Sequence, residues 1–159
     1  KIFKQYEDLI SIACACVILK TNKKITDNFW TNINDERFEI PGIVEMSNLR
    51  ELDSHICYVP FYMPANNRKY LRPDNDFIEE AWECIKAINP SLRNSNLLSA
   101  YCNRYKYAQP VCGINYQYKL PSKEPFRRFF AVDTTFYYPE DRGISESIKF
   151  GRDLVRENF

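Results

Sequence analysis

Ser11-Ile12-Ala13-Cys14-Ala15-Cys16-Val17-Ile18-Leu19 is apolar at both its odd and its even positions. Successive side chains of a strand point to opposite faces, so such a run is covered on both sides and is central in its sheet. Thr21-Asn22-Lys23-Lys24 ends it with polar turn chemistry. Three more strand-like runs follow at short spacing, at residues 28–33, 43–47 and 55–63. The first of these alternates large apolar with polar residues and keeps one face in water. Short connections suit antiparallel neighbours, because a parallel return needs a dozen residues or more. Pro60 has no N–H for a ladder, which puts the fourth run at an edge or a bulge. A largely antiparallel sheet is therefore expected from about Tyr6 to Met63.

Residues 64–73 read as a polar loop, and helix-start chemistry follows it. Asp74 or Asp76 can cap the orphan N–H groups, and Glu79 follows Asp76 at the capping-box distance. Phe77, Ile78, Ala81, Trp82, Ile85 and Ile88 form one apolar stripe, with Trp82 as its inward anchor. Glu79, Glu80, Glu83 and Lys86 fall on the opposite face, and Asn89-Pro90 stops the helix. The segment 97–109 carries Tyr101, Arg104, Tyr105 and Tyr107 and reads as a return strand ending at Gln109-Pro110. Together these predict an α+β class, a sheet covered by helices.

At 159 residues, with 45% hydrophobic and 15% aromatic side chains, the chain has the composition of a folded domain. Its 22 basic and 21 acidic residues leave a net charge of +1, which argues against nucleic acid or an anionic membrane as partner. No apolar run reaches membrane-spanning length, and Lys1-Ile2-Phe3-Lys4 is not followed by a signal-peptide core. The chain opens without Met and mid-pattern, so it reads as an excised piece. Six cysteines (14, 16, 57, 84, 102 and 112) permit fifteen pairings but show no framework spacing. Cys14-Ala15-Cys16 is not zinc-knuckle spacing, and the single His55 adds little, so no metal site is expected. Buried free thiols and a cytoplasmic home are the expectation.

Near the C-terminus, Arg128-Phe129-Phe130-Ala131-Val132 reads as a short strand ending in Asp133-Thr134-Thr135. A Pro139-Glu140-Asp141-Arg142-Gly143 turn precedes a segment of helical period. Ile144, Ile148, Gly151 and Val155 share one face of that helix, and Gly151 permits close approach of a neighbour. Unpaired N–H groups converge where the helix opens, at Gly143, Ile144 and Ser145, and favour an electron-rich ligand atom. Strand, acidic residue, glycine turn and helix N-terminus, in that order, suit a cofactor with phosphates or ring carbonyls. The ordinary alternative is a strand-loop-helix connection with no ligand.

The residues 131–135, 138–143 and 147–152 resemble the C-terminal flavin motif of FAD-dependent amine oxidoreductases. The likeness is to the branch similar to protoporphyrinogen oxidase and UDP-galactopyranose mutase. Phe29-Trp30-Thr31-Asn32-Ile33, Gly42 to Leu49, Tyr58-Val59-Pro60 and Tyr107-Ala108-Gln109-Pro110 resemble successive landmarks of the substrate domain in that branch. The resemblance implies a substrate-binding domain over residues 1–122 and, over 123–159, a strand and helix of a split FAD-binding domain. It implies that Asp133 and Thr134 lie near the ribityl-pyrophosphate and that Gly143, Ile144 and Ser145 approach the flavin ring. Arg104, Tyr107 and Gln109 are the implied substrate-side residues, with Trp30 and Asn32 behind them.

The glycines, at 42, 113, 143 and 151, supply no Gly-x-Gly-x-x-Gly turn. The dinucleotide-binding half is therefore expected outside this sequence, as the partner of this chain. By itself the chain is expected to be inactive and to bind FAD weakly or not at all. Its last helix is then expected to fold back, to pair with another copy, or to be poorly ordered. The implied substrate class is a sugar nucleotide or another polar metabolite. The competing reading is a non-enzymatic binding or scaffold module that keeps the flavoprotein shell. No residue stands out as catalytic: the adjacent Glu140 and Asp141 suit solvation of a turn better than acid-base work.

Overall fold

The computed structural model describes residues 4–159. The opening Lys1-Ile2-Phe3, part of the signal-segment reading, lies outside the described residues. The elements are α1 (Lys4–Glu7), β1 (Ser11–Thr21), β2 (Trp30–Asn32), β3 (Gly42–Glu45), β4 (His55–Met63), α2 (Asp74–Ile88), β5 (Leu97–Pro110) and α3 (Ile144–Asn158). The strands form one sheet in the order β2-β3-β4-β1-β5. β1 pairs antiparallel with β4 from Ala13↔Met63 to Thr21↔His55, and β3 pairs antiparallel with β4 and with β2. This is the expected α+β arrangement, and β1 is an interior strand as its two apolar faces require.

By its contacts the chain divides into two compact units, Ala13–Lys106 and a second made of the segments up to Ile12 and from Tyr107 to Phe159. In the first unit Ala13, Ala15, Val17 and Leu19 are fully buried, and Val59 and Phe61 of β4 join them on one face. Phe77, Ala81, Trp82 and Ile85 of α2 pack against that face. Phe61 and Phe77 meet edge to face at 5.1 Å, a favoured aromatic geometry. The inward Trp82 donates from Nε1 to Asn94 Oδ1 at 2.9 Å, which satisfies the polar tip of its ring. On the opposite face of β1, Cys16 and Ile18 are only half-buried. The second covering layer implied by its apolar pattern is thus incomplete within the described residues.

Several local expectations change. The sheet begins at Ser11, and residues 4–7 form a helical turn. Pro60 lies in the interior strand β4, buried and in register with Cys16. The β3 pairing of β4 covers Cys57 and Tyr58 only, so Pro60 stands beyond the β3 ladder and its missing N–H costs no bond there. Neither Asp74 nor Asp76 caps α2, whose N-cap position is Pro73 without a side-chain bond. Asp74 instead pairs with Arg104 at 2.6 Å, and both acids still sit favourably in the first helical turn.

The buried carboxylate of Glu45 is a feature the strand pattern did not announce. It accepts the Ile25 N–H at 3.2 Å, the Thr26 N–H at 3.0 Å and the Thr26 hydroxyl. Asn48 adds Nδ2 bonds to the carbonyls of Thr26 and Asn28 at 3.0 and 2.8 Å. Loop backbone between β1 and β2, which has no ladder partner, is thereby satisfied from β3 and the turn after it.

In the second unit Val111 N–H donates to the Ile10 carbonyl at 2.9 Å, and Tyr6 Oη donates to the Ser122 carbonyl at 2.6 Å. The expected strand at residues 128–132 does not form. Phe126 and Phe129 make an isolated bridge, and no ladder continues from it among the described residues. Ala131 N–H also bonds the Lys123 carbonyl at 2.9 Å, but these isolated contacts do not extend into the ladder that a strand needs. The C-terminal helix is present as α3. Its Phe150 stacks on Tyr137 with centroids 4.6 Å apart. Ile144, Ile148 and Val155 are instead 82%, 65% and 57% exposed, so the predicted stripe faces away from its own unit.

Candidate functional site

The segment from Asp133 to Ser145 carries the expected cofactor residues, and the second unit folds it as a compact corner. Asp133 is the N-cap of a 3₁₀ turn at Thr134–Phe136 and accepts the Thr135 N–H at 2.8 Å. Thr135, Phe136 and Tyr137 are buried beneath it, while the Asp133 side chain stays at the surface. Tyr116 Oη donates to the Thr135 carbonyl at 3.1 Å from the other side. Burial pushes the Tyr116 hydroxyl up to about 12, helped by the charge of Asp133, so it remains a proton donor at neutral pH. The Thr135 N–H and the Tyr116 hydroxyl are neutral donors, and the Asp133 carboxylate stays outward.

The chain then passes the cis Tyr138-Pro139 bond and the Glu140-Asp141-Arg142 turn into α3. Arg142 N–H donates to Asp141 Oδ1 at 2.8 Å, and the Arg142 guanidinium donates to the Ala108 carbonyl on β5. That contact closes a small cleft of about 60 Å³ between the end of β5 and the turn. Gln109, Cys112, Thr134, Tyr138 and Arg142 line it. Gly143 is the N-cap of α3 in extended conformation, with no side-chain bond to the first-turn N–H groups. Ile144 and Ser145 are exposed beside it.

Of the expected residues, Gln109 and Thr134 meet in this cleft. Asp133, Gly143, Ile144 and Ser145 flank the same corner in sequence without lining the cleft. Tyr107 lines a neighbouring hollow with Tyr6, Glu7 and Leu9. Arg104 belongs to the first unit, where it pairs with Asp74, donates to the Arg72 carbonyl at 2.5 Å and lies over the Phe77 ring. Its donors serve the start of α2. Trp30 is half exposed and donates to Asn32 Oδ1 at 2.7 Å. Cys112, Tyr138 and Arg142 were not singled out as lining residues. Only the Arg142 position in a charged turn hinted at it, because the partner, a β5 carbonyl, is 34 residues away.

Among the described residues no cluster of His, Cys, Asp or Glu has metal-binding geometry, and no helix is long and apolar enough to cross a membrane. All six cysteines are free thiols. Burial raises Cys16 and Cys84 from 9.0 to about 11 and drives Cys57 higher still, so none of these three is a thiolate nucleophile near neutral pH.

Comparison with solved structures places the fold. An oxidoreductase of Methanosarcina mazei superposes with a TM-score of 0.68 and 20% identity, over 98% of this chain and 36% of that one. The chain shares a fold with part of an oxidoreductase. A candidate protoporphyrinogen oxidase of Exiguobacterium sp. 255-15 superposes with a TM-score of 0.60 and 11% identity, over 74% of this chain and 27% of that one. The chain thus spans about a third of the length of these structures. No protein-family model matches it, and neither does any curated protein. At these identities the likeness is one of fold.

Proposed function

We propose that the chain is the substrate-binding and flavin-contacting portion of a longer FAD-dependent oxidoreductase. The superposition on an oxidoreductase over nearly the whole chain, at a TM-score of 0.68, carries this reading. Residues 1–122 serve as the substrate domain and 123–159 as the returning tail of the FAD domain, whose dinucleotide-binding half is the partner of this chain. The C-terminal corner offers an outward carboxylate at Asp133 and, at Gly143, a helix start with no N-cap side chain, where the Glu146 carboxylate now lies and would have to give way to an electron-rich ligand atom. A cleft of about 60 Å³ is too small to enclose a dinucleotide, so this chain supplies only part of the holding surface. When bound, the flavin supplies the redox chemistry.

The residues of this chain then act by orientation. Asp133 would hold the ribityl-pyrophosphate part of the flavin, the α3 N-terminus would lie near its ring, and Gln109 and Tyr107 would serve the substrate side. The exposed Ile144-Ile148-Val155 face of α3 packs against the partner half. The test is purification of the longer protein with its flavin spectrum recorded. A bound oxidised flavin that is lost in Asp133→Ala supports the proposal. A colourless, folded protein would overturn it in favour of a scaffold that keeps the shell. Calorimetric titration of the present chain with FAD should show weak or no binding, and micromolar binding would mean that the holding surface is misassigned.

A further inference from the structure

A wider hollow in the second unit is lined by none of the expected site residues. It has a volume of about 470 Å³ and lies between the segment around Asp8, Leu9 and Ile10 and the segment from Val111 to Leu120. That volume is within the range of small-molecule sites, roughly 300–1,000 Å³. Three contacts fix its frame. Val111 N–H bonds the Ile10 carbonyl, Tyr6 bonds the Ser122 carbonyl, and Tyr116 bonds the Thr135 carbonyl. The apolar walls remain open to solvent, with Ile10 68% and Val111 46% exposed. Apolar side chains gathered in a framed concavity, rather than scattered singly, suit an interaction site, and a concavity of this volume suits a small ligand.

The charge of the hollow narrows the ligand. Asp8 and Lys119 are its two charged residues. They are of opposite sign, and neither enters an ion pair among the described residues. A pyrophosphate would bring two or more negative charges to a single cation with a carboxylate in the same hollow, which electrostatic complementarity disfavours. Leu9, Ile10, Val111 and Leu120 instead offer dispersion and burial to an apolar body. Tyr116 connects this hollow to the cleft near the cofactor corner, because its ring packs edge to face on Tyr138 of that cleft at 5.8 Å.

We infer that this hollow is a binding site for a small, mainly apolar molecule that is neutral overall, and not for a sugar nucleotide. The inference stands apart from the flavin reading, and its test contains no flavin. The neutral fluorescent probe N-phenyl-1-naphthylamine is titrated into the full chain. Saturable one-to-one binding is expected, with UDP-glucose in large excess leaving it undisturbed. Val111→Asp puts an unpaired charge into the apolar wall at a surface-accessible position, and should weaken binding about tenfold or more. Gly113→Trp is the second variant. Gly113 lines the hollow, its backbone has no positive φ, and an added Cβ there meets nothing within 4 Å, so a bulky side chain is accommodated without disturbing the fold. It too should weaken probe binding about tenfold or more, with an unchanged circular dichroism spectrum. Ile148→Asp, on the exposed α3 face, serves as the control and should bind normally. The proposal is overturned by absence of saturable binding, or by displacement of the probe by UDP-glucose. Loss of binding in Ile148→Asp while Val111→Asp and Gly113→Trp bind normally would also overturn it, by moving the probe to the helix.

Discussion

Replacing Glu45 by alanine removes the acceptor for the Ile25 and Thr26 N–H groups and for the Thr26 hydroxyl. Ile25 is 5% exposed and belongs to the core cluster, so water does not reach its N–H without opening the loop. An orphaned buried donor costs about 1–3 kcal/mol. Ile25 contributes near the top of that range and the half-buried Thr26 nearer the bottom, which sums to about 3–4 kcal/mol, and loss of the fully buried side chain adds a cavity. A domain of this size has roughly 5–15 kcal/mol in total. Glu45→Ala should therefore lower the urea midpoint by a quarter or more of its value at unchanged m. Glu45→Gln keeps one acceptor oxygen but turns an NH₂ towards donors, and should lose about half as much. A loss below about 1 kcal/mol for Glu45→Ala would refute the reasoning, since it would mean that water or a loop shift satisfies both groups.

Four further outcomes are expected. Trp82→Ala should cost about 3–5 kcal/mol by cavity formation, while Asn94→Ala, which leaves the indole N–H unpaired, should cost about 1–3, both read from urea unfolding. Ile148→Asp should stay within about 0.5 kcal/mol of the parent chain, because its face is open; a larger loss would show that this face is covered. A thiol reagent should label the exposed Cys112 first, with Cys14, Cys57 and Cys84 reacting only on denaturation, as peptide mapping would show. Cys16 and Cys84 are raised to about 11 in the folded chain, so the unfolded chain ionises first, near 9. Their contribution is full below about pH 9 and is lost as pH rises towards about 11, so the urea midpoint should fall between about pH 9 and pH 11, and less so in Cys84→Ala.

The order of the elements was legible in the sequence because it rests on local periodicity. The two-faced apolar run of β1, the Trp82 stripe of α2 and the Asn89-Pro90 stop each depend on neighbours a few residues away. The return strand at Leu97–Pro110 was readable for the same reason, although its tyrosines left the period ambiguous. Only the tertiary structure decided where partners come from. Asp74 looked like a cap and became a salt-bridge partner of Arg104, because a residue 30 positions along the chain offers a stronger bond than its own helix end. Glu45 looked like one more strand residue and became a buried acceptor for a loop 19 to 20 residues upstream. The cofactor corner divides in the same way. The Asp133 cap and the helix start at Ile144 follow from local chemistry. The cleft that joins Gln109 to Thr134 depends on Arg142 reaching the Ala108 carbonyl. The run at residues 128–132 has strand composition but, among the described residues, only isolated backbone contacts at Phe129 and Ala131, and composition cannot supply a ladder, since a strand exists only with the hydrogen bonds of the next.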